Sequence, residues 1–250
     1  MRLAVLSDVH GNLAALEAVL ADIAAQGAPD LYWVLGDLAL FGPWPGETVA
    51  RLRALPQVAF LQGNTDRYLV SGRRPELPVR SAEEWARAPM MLAGRDAAFR
   101  WAVERLSYED FLFLRDLPTR LEIDIAGYGR VVAFHATPAD DETNWFPATP
   151  DEVIRPHVEA LSARLLLYGH THRPVDRALG PLRLVNDGSV GLPLDGEPRP
   201  SYALLDFEQG QVVVTLRRVD YEREVVLAEM ARVEHPLREW LIKLIREARA

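Results

Sequence analysis

The chain of 250 residues contains no cysteine. It therefore has no disulfide, no zinc–thiolate site and no thiol nucleophile, so a transition-metal site must use His, Asp, Glu or Asn side chains. This composition suits a reducing compartment, and we expect a cytoplasmic protein. The sequence also lacks an apolar run near the roughly 18 residues that a membrane span needs. The apolar run that precedes Ser7 is too short for a signal peptide.

Long blocks of Lys or Arg are also missing, and the formal net charge is −8. General attraction to nucleic acid or to an anionic membrane is therefore disfavoured. A small anionic substrate stays compatible with this charge, because bound cations can dominate the local field. With 49% hydrophobic and 26% charged residues, the composition is that of a globular protein with a substantial core.

The pattern of apolar residues changes along the chain. Up to residue 66, short apolar runs alternate with helical periodicity, which predicts βαβ units and a largely parallel sheet. Residues 67–118 are rich in Arg, Glu and Ala and predict a helical insertion that flanks or covers the site. After Pro118, strands with short turns predict antiparallel pairs, and a helical segment starts at about Tyr221. We expect one domain over residues 1–250.

Five apolar runs are each followed at once by side chains that can bind a metal ion. The loops beyond the carboxyl ends of strands form the usual ligand crevice of an open α/β sheet, so these segments can meet at one edge. Each motif alone is explained as simply by a turn, a helix cap or a buried histidine. Their joint occurrence favours a metal site. The candidate ligands are Asp8, His10, Asp37, Asn64, His135, His170 and His172.

The order of these motifs resembles the calcineurin-like metallophosphoesterases, in particular the small prokaryotic phosphodiesterase-like branch. That family shows D-x-H, G-D, G-N-H-D/E, H and G-H-x-H in this order. The corresponding motifs here are DVH (8–10), GD (36–37), GNTD (63–66), His135 and GHTH (169–172). The resemblance spans about residues 2–207. It implies an α/β fold in which two mixed β-sheets form a four-layer αββα sandwich flanked by helices.

The resemblance also implies a dinuclear metal centre. It assigns one ion to Asp8, His10 and His172. It assigns a second ion to Asn64, His135 and His170, with Asp37 as the bridge. Two cations in such a site polarise a bridging water to hydroxide and hold phosphate oxygens during in-line displacement. Oxygen and imidazole ligands suit divalent or trivalent Mn, Fe, Zn, Co or Ni and do not distinguish among them.

The third motif departs from the family pattern. Thr65 stands where the family usually has a histidine that is associated with phosphate contact and leaving-group protonation, and Thr has no comparable acidity. A good leaving group, another proton donor or low turnover would each fit this change. Asp66 either supports Asn64 or His10 from behind or is the N-cap of a helix. We take Asp37, Asn64 and Asp66 as candidate catalytic residues, and Asn64, Thr65 and Arg199 as candidate substrate contacts.

A second departure lies in the segment NDGSVGLPLDG, which related sequences tend to write NPGSVGQPRDG. Asp187, Leu192 and Leu194 replace Pro, Gln and Arg there, and the two leucines remove polar groups that could have met a substrate.

Two functional hypotheses of different classes follow. The first is an enzyme that hydrolyses a phosphodiester or phosphoanhydride of a small phosphorylated, possibly nucleotide-like, molecule, with diesters favoured over monoesters. The second is a non-catalytic protein-binding scaffold on the same fold. The full set of metal ligands favours the enzyme. A nuclease is not supported, because the chain is acidic overall and has no evident basic stripe. The oligomeric state cannot be read from these residues.

Overall fold

Two five-stranded β-sheets form the centre of the computed structural model, which describes residues 1–76 and 79–249. The strands are β1 (Arg2–Leu6), β2 (Leu31–Val34), β3 (Val58–Phe60), β4 (Arg120–Ile125), β5 (Gly129–Phe134), β6 (Leu165–Tyr168), β7 (Val175–Leu179), β8 (Leu182–Asn186), β9 (Ser201–Glu208) and β10 (Gln211–Arg218). The first sheet has the order β10–β9–β1–β2–β3, and the second has the order β4–β5–β6–β8–β7. Each sheet has a parallel centre, β1–β2–β3 or β5–β6–β8, with antiparallel strands beside it.

Helices cover the outer face of both sheets. They are α1 (Leu13–Gln26), α2 (Pro45–Arg53), α3 (Asn64–Ser71), α4 (Ala82–Val103), α5 (Tyr108–Arg115), α6 (Asp151–Val158), α7 (Arg223–Arg232) and α8 (Arg238–Glu247). Helix α1 shows why these segments fold locally as they do. The Asn12 side chain caps its first turn by accepting from Ala15 N at 3.1 Å, and Gly27 ends it with a φ of 103°.

The apolar side chains of each central strand point alternately to the two faces of its sheet. In β1, Leu3 and Val5 face the second sheet, whereas Ala4 and Leu6 face the helices. One buried cluster joins the inner faces of the two sheets. A second joins the first sheet to α1–α5, and a third joins the second sheet to α6. These clusters confirm the predicted four-layer αββα sandwich.

The local predictions differ from the structure in two places. The helical region after the third motif starts at Asn64, inside the motif, and not at residue 67. Residues 77 and 78 of the predicted insertion lie outside the described residues. Strand β7 was not predicted, because its sequence VDRAL offers little alternation and it lies at the edge of its sheet. The antiparallel pairs predicted after Pro118 are confirmed for β4–β5 and β9–β10.

The two C-terminal helices pack beside the loops that carry candidate metal ligands. Val226 and Met230 of α7 and Leu241 and Ile245 of α8 share a buried cluster with Leu192, twenty residues after His172. The carbonyl of Leu192 meets the His172 ring. Burial of this apolar surface therefore links the C-terminal segment to the site. We propose that the segment is an integral part of a single domain.

Replacing Leu241 by Ala tests this proposal. The side chain is almost fully buried, so its truncation should lower the free energy of unfolding by about 2–5 kcal/mol. Denaturant unfolding followed by circular dichroism should keep a single transition with a lower midpoint. Val225→Ala, at an exposed position of α7, is the control and should change stability by no more than about 0.5 kcal/mol. A separate early transition in Leu241→Ala would contradict the single domain.

Candidate metal centre

The predicted ligands lie just beyond the carboxyl ends of five strands. Asp8 and His10 follow β1, Asp37 follows β2, Asn64 follows β3, His135 follows β5, and His170 and His172 follow β6. Backbone hydrogen bonds tie neighbouring loops together: Asp8 N donates to Gly36 O at 3.1 Å, and Gly169 N donates to His135 O at 2.8 Å. The structure thus brings all seven predicted ligands to one edge of the sandwich.

The backbone at these positions is strained. Five of the seven residues have a positive φ between 50° and 63°: Asp8, His10, Asp37, His170 and His172. This left-handed conformation costs a residue with a side chain on the order of 1–3 kcal/mol and persists only where the surroundings impose it. Strain of this kind concentrates at functional sites. Gly63 meets a related constraint, since a side chain there would collide with Asp37.

The first group of ligand atoms belongs to Asp8, His10, Asp37 and His172, all of which are buried. These atoms lie within 4.8 Å of one another and could hold a metal ion. His10 Nε2 is 3.2 Å from His172 Nε2 and 3.6 Å from Asp37 Oδ2. His172 Nε2 is 3.1 Å from Asp8 Oδ1.

The hydrogen bonds of the Nδ1 atoms of three histidines show which ring nitrogen faces the centre. The Nδ1 atoms of His10, His135 and His172 meet the backbone carbonyls of Leu40, Leu35 and Leu192. A carbonyl only accepts, so we infer that each Nδ1 carries the proton and each Nε2 presents a lone pair inward. Lone pairs then face each other, as do those of His10 and His172 at 3.2 Å.

Such an arrangement of acceptors fits a bound cation. Asp8 Oδ1 is buried and has no hydrogen-bond partner among residues 1–76 and 79–249, although His172 Nε2 lies nearby. Burying an unpaired charged oxygen is costly unless a positive charge compensates it. Carboxylate and imidazole donors suit a divalent transition metal.

A second group adjoins the first at Asp37. Asn64 Oδ1 lies 2.9 Å from His135 Nε2 and 3.1 Å from His170 Nδ1. His135 Nε2 is 3.5 Å from Asp37 Oδ1. On its other side, His170 Nε2 meets Glu142 O at 2.9 Å, which leaves Nδ1 as the inward acceptor. Asn64 and His170 are half-buried, so this group is the more accessible of the two.

The pKa shifts of the histidines reflect a balance between burial and the negative charge of nearby carboxylates. Burial lowers the pKa of His10 to about 4, which keeps its imidazole neutral and able to bind a metal near pH 7. Burial acts in the same direction on His135 and His172, but the carboxylates of Asp8 and Asp37 outweigh it and raise both pKa values. The site therefore favours positive charge between these groups.

Asp66 fixes the backbone that carries Asp37. Its carboxylate accepts from Asp37 N at 2.8 Å, Leu38 N at 2.9 Å and Gly63 N at 3.0 Å, and the last bond belongs to a capping box of α3. Burial and the charge of Asp37 raise its pKa to about 7. The prediction that Asp66 supports Asn64 or His10 is wrong in its partners, because the hydrogen bonds go to these backbone groups. Asp66 does contribute to the cap of α3, but as the third residue of the helix, because the N-cap itself is Gly63.

The predicted substrate contacts fare differently. Thr65 N donates to Asp37 Oδ1 at 2.9 Å, while the Thr65 side chain is only 5% exposed. Thr65 therefore reaches the site through its backbone. The structure does not bring Arg199 to the ligand cluster: its guanidinium makes two hydrogen bonds with Glu197, at 3.0 and 3.1 Å.

Several positioning groups were not anticipated. Ser7 Oγ donates to Asp8 Oδ2 at 2.6 Å, and His170 N donates to the same oxygen at 3.0 Å. The carbonyls that orient the histidines leave no trace in the sequence, since any residue supplies one. Leu192 illustrates this: its apolar side chain suggested a lost contact, yet its carbonyl holds His172.

Comparison with known proteins identifies the family of this chain. Residues 1–210 match the family model of the calcineurin-like phosphoesterase superfamily domain. An uncharacterised protein of Methanocaldococcus jannaschii is 31% identical over 257 residues, covering 96% of this chain and 95% of that protein. The chain therefore belongs to the calcineurin-like phosphoesterase superfamily, which confirms the resemblance seen in its motifs.

Solved structures that align over at least 99% of this chain include the following two. The metallophosphoesterase from Sphaerobacter thermophilus is 29% identical, with a TM-score of 0.77 and 99% coverage of both chains. A hypothetical protein from Pyrococcus horikoshii OT3 shares the fold at 22% identity, with a TM-score of 0.81, and covers 100% of this chain and 99% of its own. The superfamily binds divalent metals and acts on small phosphorylated substrates. Within the described ranges, no helix has the length and hydrophobicity to cross a bilayer.

Asp187 provides a test of the electrostatics beside this centre. It is 1% exposed, and neither carboxylate oxygen has a hydrogen-bond partner within the described part of the chain. Burial and the charge of Asp8 raise its pKa well above the usual range. The native state then holds a proton that the unfolded state has released. Stability should therefore fall as the pH rises from about 4, the pKa of an unfolded Asp, through the native pKa.

Asp187→Asn cannot ionise and removes this loss. In the presence of a chelator, its melting temperature should exceed that of the wild type by several degrees at pH 8, and the gap should narrow toward pH 4. Asp124→Asn, at an exposed position of β4, is the control and should show no such pH-dependent gap. A gap for Asp187→Asn that is constant across this range would contradict the raised pKa.

Proposed function

We propose that the protein is a dinuclear metal-dependent phosphoesterase that hydrolyses a phosphodiester or phosphoanhydride bond of a small, nucleotide-like substrate. The observation that carries the proposal is the meeting of two groups of inward-facing acceptors at Asp37. One of its carboxylate oxygens lies near His10 and the other near His135. A carboxylate between two such groups is placed to bridge two cations. Asp8, His10 and His172 would complete the coordination of one ion. Asn64, His135 and His170 would complete that of the other.

Two bound cations would supply a water of lowered pKa and compensate the charge of the phosphoryl oxygens. The chain's own residues supply the positioning. Thr65 N holds the side chain of Asp37. The Asp66 carboxylate holds its backbone. Carbonyl acceptors fix three imidazole rings in the ligand tautomer. Since Asn64 and His170 are half-buried and the first group is enclosed, we infer that the substrate approaches from their side.

The residue at position 65 bears on the choice of substrate. A threonine hydroxyl cannot protonate a leaving group near neutral pH, and that of Thr65 is buried without a hydrogen-bond partner among the described residues. A substrate whose leaving group is a weak base needs no such proton. Phosphoanhydrides and diesters with acidic alcohols meet this condition.

The arrangement supports an enzyme over a non-catalytic scaffold. A scaffold needs only the surface of the fold and gains nothing from strained loops that aim buried acceptors at one another. The complete ligand set is therefore better explained by metal chemistry.

Metal content tests the dinuclear site. Protein reloaded with Mn²⁺ after chelation should contain about two ions per chain by elemental analysis. His10→Ala and His135→Ala should each lose about one, because each removes a ligand of a different ion. His157→Ala, at an exposed position of α6, should leave the content unchanged. One ion or none in the wild type would contradict the proposal.

Hydrolysis tests the reaction class. Asp37→Asn should reduce Mn²⁺-dependent cleavage of bis(p-nitrophenyl) phosphate at least about 100-fold, because it weakens the bridge between the two ions. The diester should be cleaved faster than p-nitrophenyl phosphate under the same conditions. Asp176→Asn, whose carboxylate pairs with Arg183 on the second sheet, is the control and should retain wild-type rates. Equal rates for Asp37→Asn and the wild type would exclude the mechanism.

A further inference from the structure

A cavity of about 460 Å³ lies among loops that leave the second sheet. It is lined by Pro147, Arg173, Pro174, Leu194, Asp195 and Arg249. Apart from Arg249, these residues belong to the loops that follow β5, β6 and β8. The loops after β5 and β6 carry His135, His170 and His172, so the cavity opens at the same edge of the sandwich as the ligands. His172 O also accepts from Leu194 N at 3.3 Å, which couples the cavity wall to the centre.

Arg173 contributes a guanidinium to this cavity, and two contacts hold it in place. It directly follows His172 and is half-buried. Its Nε donates to Leu194 O at 3.1 Å, and its guanidinium carbon lies 5.0 Å from the centre of the Phe146 ring. These two contacts orient the guanidinium plane and leave its terminal nitrogens as donors. Among residues 1–76 and 79–249, the ion pairs include none to Arg173.

The charge of the lining is positive. Asp195, its acidic member, forms an ion pair with Arg218. Arg173 and Arg249 therefore contribute positive charge that Asp195 does not cancel, on a chain whose formal net charge is −8. A guanidinium with free terminal donors matches the geometry of phosphate oxygens.

We propose that this cavity binds a second phosphate group of the substrate, with Arg173 as its main contact. The inference rests on the proposed phosphoesterase function and narrows its substrate class. Molecules that carry a second phosphate besides the scissile one are then preferred over otherwise identical molecules with one. The second phosphate lies beside the metal centre and takes no part in the bond that breaks.

Two matched substrates test the preference. Thymidine 5′-(p-nitrophenyl phosphate) and its 3′-phosphorylated form differ only in a second phosphate. In both, water adds to the 5′-phosphorus and p-nitrophenolate leaves. With Mn²⁺-loaded protein, Arg173→Gln should raise the KM of the bisphosphate about tenfold more than that of the monophosphate, the loss expected for one charge-assisted hydrogen bond. Arg173→Lys, which keeps the charge, should lie between Arg173→Gln and the wild type.

Arg155→Gln, at an exposed position of α6, is the control and should leave both KM values unchanged. Equal KM changes for the two substrates in Arg173→Gln would overturn the subsite. So would an equal loss of kcat on both, because it would place Arg173 at the reacting phosphate.

Binding of the products separates this inference from the proposed function. Calorimetry of the Mn²⁺-loaded protein should give a lower Kd for thymidine 3′,5′-bisphosphate than for thymidine 5′-phosphate. Arg173→Gln should reduce the ratio of the two Kd values about tenfold, and Arg155→Gln should leave it unchanged. If the protein cleaves neither substrate but shows this Arg173-dependent preference, the proposed function fails and the anion subsite stands. A preference that persists in Arg173→Gln overturns the subsite, whatever the activity.

Discussion

At the centre of the site, ring nitrogens and carboxylate oxygens face each other at short range inside the protein, and the inferred tautomers make them all hydrogen-bond acceptors. The His172 ring nitrogen and the Asp8 carboxylate oxygen lie 3.1 Å apart, and two imidazole nitrogens lie 3.2 Å apart. Hydrogen bonds from the opposite ring nitrogens to backbone carbonyls hold this orientation. Without positive charge between them, these groups repel each other in a medium of low dielectric constant. The architecture is therefore one that a cation stabilises.

Maintaining this arrangement demands a stiff framework. Five ligands adopt a left-handed backbone conformation, which local sequence alone would not favour. The two packed sheets supply the opposing stability, since their central strands are buried on both faces. The C-terminal helices add apolar contact behind the loops of His10 and His172. Strain at the site is thus sustained by burial elsewhere in the fold.

Negative and positive charges around the site lie in different places. Buried carboxylates lie behind the ligands, where Asp66 holds the Asp37 backbone and Asp187 adjoins Asp8. Positive charge lies at Arg173, the residue after His172, and at Arg249, both of which line the cavity described above. This separation suits the recognition of an anion by the lining cations, because the carboxylates of Asp66 and Asp187 are buried in the interior.

The order of the motifs in the sequence, through the family that they resemble, was enough to predict the fold class and the seven ligand candidates. Apolar periodicity defines strands and helices, and parallel strands bring their carboxyl ends, with Asp8, Asp37 and His135, to one edge. The sequence could not identify the partners of Asp66 or the carbonyls that orient the histidines. Nor could it show that, among the described residues, the Asp187 carboxylate has no hydrogen-bond partner and Arg173 has no ion pair. These features become visible in the three-dimensional structure, because they depend on distances between residues far apart in the chain and on backbone groups that every residue shares.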